Sequence, residues 1–318
     1  MSFRIAGTGM YVPQNIVTND DLSKLVETND EWIKTRVGIE RRHIAVNETT
    51  AEMAVKAAEA ALENSGVKAE EIDLILVSTV SGDYISPSVA CLVQKALGVH
   101  CMAYDISAAC SAFLFLLETA AGYFARGKAK KALVIGAERM SRVVDWSDRS
   151  TCVIFGDGAG AAVLEEGDGY LTSRFNVQGN DEVIKIPTPY GKSPFYERES
   201  FGEPYVYMNG QETFKYAVSS ISHDIKTILE EAGLGIDDIK YVVPHQANLR
   251  IIDAASRRSG IPLDKFYVNI QEYGNTSSAS VPMALDELNR AGKLERGDLI
   301  LFTAFGGGLA SAASIIRW

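Results

Sequence analysis

The sequence predicts an α/β fold made of two similar halves, and two observations carry that expectation. Near-continuous apolar segments at 72–77, 132–135 and 299–302 alternate with amphipathic stretches, the pattern of strands covered by helices on both faces. The second observation is an internal repeat. Ala61-Leu-Glu-Asn-Ser-Gly66, leading to Ile72-Asp-Leu-Ile-Leu-Val77, recurs as Ile228-Leu-Glu-Glu-Ala-Gly233, leading to Ile239-Lys-Tyr-Val-Val243. The offset is 167 residues, Gly66 against Gly233, and it carries 132–135 onto 299–302 and Cys110 onto Ser277. A repeat of about half the chain indicates duplication of one α/β unit. The expected division is 1–166 and 167–318, with one site formed between the halves.

Taken in order, the amino terminus Met1-Ser-Phe-Arg-Ile-Ala-Gly7 reads as an early strand and not as a secretory signal. A β-prone stretch, 102–106, gives way to Ser107-Ala-Ala-Cys-Ser-Ala112, and an apolar helical pattern (Phe113, Leu114, Leu116, Leu117, Ala120) follows at once. That is a sharp strand-to-helix turn with Cys110 at the start of the helix. The N–H groups of a helix start favour negative charge, so a lowered thiol pKa is expected there. Gly156-Asp-Gly-Ala-Gly160 lacks the full dinucleotide fingerprint and leads into a strand, Ala161-Ala-Val-Leu164, so it reads as a structural loop. A strand ends at Pro244 with His245 at its carboxyl end, where sheet enzymes hold catalytic groups. A helix is expected from about Gln246 to Ser259. Asn275 lies in a Gly-led loop, Tyr273-Gly-Asn-Thr-Ser-Ser-Ala-Ser280, before another helix. Phe305-Gly-Gly-Gly308 follows a strand over 299–303 and permits a tight turn.

Each of these residues has an ordinary reading when taken alone. Cys110 could be a small buried hydrophobe, His245 a satisfied core histidine, and Asn275 a turn residue. Together a thiol, an imidazole and an amide form a set suited to carbonyl chemistry.

Composition sets wider bounds. The chain has 318 residues, 47% hydrophobic and 23% charged, which describes an ordinary soluble globular protein. No run approaches the ~18 apolar residues of a membrane span. Its four cysteines (Cys91, Cys101, Cys110, Cys152) lack metal-ligand spacing, so no metal is expected, and a free thiol suits the reducing cytoplasm. Net charge −10 argues against general nucleic-acid binding. Against that background Arg250, Arg257 and Arg258 stand out, at i, i+7 and i+8 on one helix face.

Nine motifs occur in order: Tyr11-Val-Pro13, Asp30-Glu-Trp-Ile33, Arg36-Val-Gly-Ile-Glu-Arg41, the Ala-Ala-Cys110 elbow, Asp148-Arg-Ser-Thr151, Phe155-Gly-Asp-Gly-Ala-Gly160, Pro244-His-Gln-Ala-Asn248, Gly274-Asn-Thr-Ser277 and Phe305-Gly-Gly-Gly308. Along its whole length the chain thereby resembles the thiolase-superfamily condensing enzymes, and within them the β-ketoacyl-acyl-carrier-protein synthase III family, which initiates fatty-acid synthesis. The resemblance implies a thiolase-like five-layer αβαβα sandwich and a homodimer. It implies Cys110 as nucleophile, His245 and Asn275 as donors to a thioester oxygen, and an oxyanion hole from the N–H groups of Cys110 and Gly307. It also implies a coenzyme A site at Thr28, Trp32, Arg36, Arg149, Asn209 and Asn248. Lys215, Arg250, Arg257 and Arg258 would receive an acidic acyl carrier protein. The substrates implied are an acyl-coenzyme A and malonyl-acyl carrier protein, with no cofactor.

Asn275 narrows the chemistry. Elongating relatives carry histidine here, and hydroxymethylglutaryl-type relatives depend on a glutamate base. An amide cannot take a proton, so Cys-His-Asn favours decarboxylation. Two features depart from the family's usual pattern: Ala112 stands where glycine is common, and Ala310-Ser311-Ala312 replaces Thr-Trp-Gly. Ser86 stands where acetyl-restricted members close the acyl pocket with an aromatic ring, partly across the dimer interface. A small residue there suggests a longer, branched or polar primer. Two other readings stay open: a sibling priming another pathway, for example with glutaryl-coenzyme A or towards a secondary metabolite, and a non-catalytic subunit that binds coenzyme A or carrier protein. A pure binding module has no need of the whole Cys110, His245 and Asn275 set.

Overall fold

The structure is a computed structural model that describes residues 2–188, 194–195 and 202–318. One sheet is built from β1 (Ser2–Tyr11), β2 (Leu74–Ser78), β3 (Met102–Ile106), β4 (Lys131–Arg139) and β5 (Asp157–Gly167), in the order β1-β5-β4-β2-β3. A second large sheet holds β6 (Tyr170–Asn180), β7 (Ile239–Pro244), β8 (Leu299–Gly306) and β9 (Gly308–Arg317), in the order β7-β8-β9-β6. The two repeat each other over four strands. β2 runs parallel to β4, as β7 does to β8, and the next two pairings are antiparallel in both sheets. The counterpart of β3 is reduced in the second sheet to a single parallel bridge, Val242 to Phe266.

Six helices fill the layers. α1 (Thr50–Ser65) and α2 (Val89–Leu97) cover one face of the first sheet, against Ile75, Val77, Leu133 and Ile135. α3 (Ala112–Ala125) and α6 (Ser280–Arg290) lie between the sheets. α4 (Gly210–Ala232) and α5 (Leu249–Ser259) cover the far face of the second sheet, against Leu301, Ala313 and Ile315. Side-chain alternation explains the arrangement: Leu74 and Leu76 face the central layer while Ile75 and Val77 face the outer one. α3 is apolar nearly all round because sheets press on it from both sides. Burying one of its leucines is worth about 1.5–3 kcal/mol. Among the described residues no helix is long and apolar enough to cross a membrane.

Three expectations are corrected. The glycine motif 156–160 is largely strand, because β5 already begins at Asp157. Its glycines serve close approach: a Cβ at Gly160 would stand 2.6 Å from the Met283 nitrogen on α6. α5 begins at Leu249 and not Gln246, since Asn248 caps it by accepting from the Arg250 N–H. The repeat offset of 167 holds between β2 and β7 but becomes 168 at the elbows. There the single turns Ala109–Ser111 and Ser277–Ala279 precede α3 and α6. The twin of Cys110 is therefore Ser278. Ala109 and Ser277 correspond instead, and both carry a positive φ, 46° and 49°.

Candidate active site

Cys110 sits in the turn between β3 and α3, at the carboxyl end of the first sheet. The preceding Ala109 bends the chain through the left-handed region, a strained conformation for a residue other than glycine. The end of β8 closes over this turn. A Cβ on Gly306 would fall 2.7 Å from the Cys110 nitrogen, so only glycine allows that approach, and Gly307 lies beside Ala109. The expected low thiol pKa is not what the surroundings produce. Burial pushes Cys110 up to about 12; a hydrogen bond with Ser277 pulls it down, and the Glu138 carboxylate pushes it further up. The N–H groups at the turn are outweighed by desolvation.

His245 follows β7, and its backbone N–H donates to Thr303 O at 2.8 Å. Its ring meets Phe305 edge-on at 5.4 Å. Burial lowers its pKa to about 3, so it is a neutral imidazole at any physiological pH. Nδ1 lies 2.6 Å from Ser280 Oγ, which also accepts from the Gln246 N–H at 3.3 Å. A hydroxyl accepting from Gln246 can turn its hydrogen to Nδ1, which leaves the ring proton on Nε2.

Asn275 is tied by its backbone to both neighbours of Phe155, donating to Ile154 O at 2.9 Å and accepting from the Gly156 N–H at 3.1 Å. Its Oδ1 accepts from the Ser277 N–H at 2.8 Å, so the amide has its NH2 to offer. The three residues are linked through shared neighbours: Ser277 touches both Cys110 and Asn275, and the Phe305–Gly306 strand end touches both His245 and Cys110.

The residues expected at the coenzyme gather around the helix Asp30–Val37. The Arg149 guanidinium lies 5.1 Å over the Trp32 ring, and its Nη1 donates to Glu27 O at 2.9 Å. Asn248 Nδ2 donates to Arg36 O at 3.3 Å, and Thr28 Oγ1 is buried without a hydrogen-bond partner. Asn209 caps α4 by accepting from the Glu212 N–H, next to Met208, which packs in the same apolar cluster as Trp32. The four basic residues are exposed on α4 and α5. Lys215 pairs with Glu212, Arg257 with Asp253, and Arg250 lies over the Phe214 ring. Ser86 is exposed on the surface loop beside Ile85, which is 87% exposed.

Three residues at the centre escape the sequence reading: Glu138, Ser277 as a partner of the thiol, and Ser280. Glu138 carries a legible signal, an acid at the carboxyl end of the apolar run 132–137. The serines lie within the quoted Asn275 loop, but a run of hydroxyls does not say which one faces which partner.

A duplicated five-layer sandwich with a cysteine elbow, a neutral histidine and an amide at its centre is the arrangement of a thiolase-fold condensing enzyme. The sequence pattern of 3-Oxoacyl-[acyl-carrier-protein (ACP)] synthase III matches residues 104–179, and that of its C-terminal part matches 229–318. The chain belongs to this family. It is 46% identical to the β-ketoacyl-[acyl-carrier-protein] synthase III of Clostridium acetobutylicum, over 100% of this chain and 99% of the relative. The crystal structure of the Aquifex aeolicus 3-oxoacyl-[acyl-carrier-protein] synthase III superposes with a TM-score of 0.91 at 46% identity, covering 99% of this chain and 100% of that one. The priming β-ketosynthase of the R1128 polyketide biosynthetic pathway superposes equally well, with a TM-score of 0.91 at 36% identity, over 99% and 96%.

Proposed function

We propose that this protein is the initiating condensing enzyme of fatty-acid synthesis, joining an acyl-coenzyme A primer to malonyl-acyl carrier protein. The observation that carries the reading is the pairing of Cys110 with two groups that offer hydrogen bonds without taking protons, the neutral His245 and the Asn275 amide. Cys110 attacks the primer thioester while the N–H groups of Cys110 and Gly307 hold the oxyanion, and coenzyme A leaves. Malonyl-acyl carrier protein then binds with its thioester oxygen on His245 and Asn275. Loss of carbon dioxide gives an enolate stabilised by those donors, and its carbon attacks acyl-Cys110. Thr28, Trp32, Arg36, Arg149, Asn209 and Asn248 hold the coenzyme, whose adenine would part Trp32 from Arg149. The chemistry needs no cofactor, and a free thiol nucleophile suits the cytoplasm. The exposed edge strand β3, with Met102 50% exposed, supports a homodimer. The units are read as 1–166, carrying the nucleophile, and 167–318, carrying the histidine and asparagine. The direct test is intact mass of the protein offered a panel of acyl-coenzyme A thioesters. A covalent acyl group on Cys110, released as β-ketoacyl product on adding malonyl-acyl carrier protein, is expected; no acyl uptake from any primer would refute the reading.

The small Ser86 favours a second reading, in which the same chemistry primes another pathway with a longer, branched or carboxylated starter. Ser86→Phe should then shift competition between acetyl-, branched- and glutaryl-coenzyme A towards acetyl. A ring excludes long chains sterically, whereas one methylene discriminates by only ~1–3 kcal/mol. An unchanged preference would remove Ser86 from the pocket.

Lys215, Arg250, Arg257 and Arg258 are read as the docking face for the acidic carrier protein. Replacing the three arginines with Glu should weaken carrier binding on the order of 10–100-fold, at ~0.5–1 kcal/mol per reversed charge, and leave acylation by free acyl-coenzyme A nearly unchanged. Surface plasmon resonance at two salt concentrations checks it, since wild-type binding should fall as salt rises. Equal loss in both half-reactions would instead assign the face to the coenzyme or the fold.

A further inference from the structure

The Asn275 amide can donate to a thioester oxygen in only one of its two orientations. Turned the other way, it would set its own oxygen against the developing enolate. The Ser277 N–H, 2.8 Å from Asn275 Oδ1, can only donate, so it selects the orientation that leaves the NH2 free. That N–H belongs to a residue with φ 49°, in the left-handed region. A residue other than glycine stays there only when its surroundings hold it. Glu138 supplies the hold.

Glu138 is fully buried at the end of β4, and its two oxygens serve different halves of the chain. Oε1 accepts from Ser278 Oγ at 2.9 Å and from Ser277 Oγ at 3.0 Å. Oε2 accepts from Ser81 Oγ at 2.6 Å, the Val80 N–H at 3.0 Å and Thr79 Oγ1 at 3.2 Å, all in the stretch that follows β2. Two residues earlier on the same face of β4, Gly136 lets the turn lie directly on the strand. A Cβ there would collide with the Ser278 carbonyl oxygen. The twin turn is held differently. Ala109 keeps a φ of 46° with no hydroxyl, and the end of β8 closes over it. The second turn has a carboxylate where the first has packed backbone.

We propose that Glu138 is a positioning residue for Asn275, bracing the Ser277–Ser278 turn against the first half so that the amide keeps its NH2 towards the malonyl thioester. The inference rests on the reading of Asn275 as a donor to that oxygen. The brace works by geometry, and no proton passes through it.

A double-mutant cycle on carbon dioxide release from malonyl-acyl carrier protein tests it. Glu138→Ala should slow release about 10–100-fold, a part of what removing the donor itself costs. In an Asn275→Ala background the same substitution should cost less than about threefold, because no amide is left to orient. A merely structural role would cost its full factor in both backgrounds. Glu138→Gln should return to within about threefold of wild type, since its carbonyl can face the Val80 N–H and its NH2 the two serines. Their hydroxyls can turn to accept, Ser278 donating instead to Ser78 O at 3.2 Å. If Glu138→Ala does not fold, Ser277→Ala combined with Ser278→Ala removes both hydroxyls from Oε1 and carries the same test. Ala109 shows that alanine fits the left-handed position. The proposal is overturned if the loss persists undiminished in the Asn275→Ala background, if neither variant slows release, or if Glu138→Gln is as slow as Glu138→Ala. Near-normal release by Asn275→Ala alone would instead refute the donor role in the proposed function, and the positioning with it.

Discussion

Cys110→Ser is expected to abolish acyl uptake from every primer and, with it, condensation. Removing an enzyme's nucleophile typically lowers kcat on the order of 10⁶-fold. The site explains why oxygen cannot substitute. Even the thiol is held up at about 12 by burial and by the Glu138 carboxylate. A hydroxyl, far more basic when ionised, would supply no usable anion in the same surroundings. The substitution changes one atom in a turn whose shape comes from Ala109 and from the close approach of Gly306, so the melting temperature should stay within a few degrees of wild type. Intact mass after incubation with acyl-coenzyme A is the measurement. A covalent acyl group on the variant would mean that another residue is the nucleophile.

His245→Ala and Asn275→Ala should separate the two half-reactions. Both variants should still form acyl-Cys110, more slowly for the histidine variant, yet release labelled carbon dioxide from malonyl-acyl carrier protein on the order of 10²–10³ times more slowly, the usual effect of removing one oxyanion donor. A neutral ring that only donates has a further consequence. Because burial lowers the His245 pKa to about 3, wild-type decarboxylation should show no inflection near pH 6.5, the ordinary histidine range. Stability carries the opposite signature. The unfolded histidine takes a proton below about pH 6.5 and the folded one does not, so acid should destabilise the fold progressively as pH falls from there towards 3. Near-normal carbon dioxide release by either variant would contradict the assignment, and an inflection near pH 6.5 in wild type would mean that His245 works as a cation.

Much of the fold is legible in the sequence because its signals are local and repeated. The apolar runs at 72–77 and 299–302 declare buried strands, and the shared helix-to-strand passage declares the duplication. Cys110, His245 and Asn275 are legible because each follows a strand or opens a turn where a reactive group can project. Long-range geometry is what the sequence hides. Nothing local to Cys110 says that burial outweighs its helix start, since that depends on β8 and Glu138, distant in sequence. The glycines at 156–160 look like a loop because glycine is rare within strands, yet here they make room for α6. Ser278, not Ser277, is the twin of the nucleophile because one extra residue enters the second repeat between β7 and its elbow.

The reduced strand in the second sheet bears on how copies of this chain can assemble. In the first half β3 presents an open edge, whereas the matching edge of β7 is covered: Tyr267 donates to Val242 O at 2.9 Å, and Lys265 Nζ reaches the carbonyls of Ile236 and Ile239. A duplicated chain with two equally open edges could add copies end to end without limit. With the β7 edge closed, β3 is the open edge on this side of the chain, and a contact between two copies of β3 would be twofold and complete once the second copy arrives. The loss of symmetry between the halves thus takes away, on this side, one of the two edges from which a filament could grow.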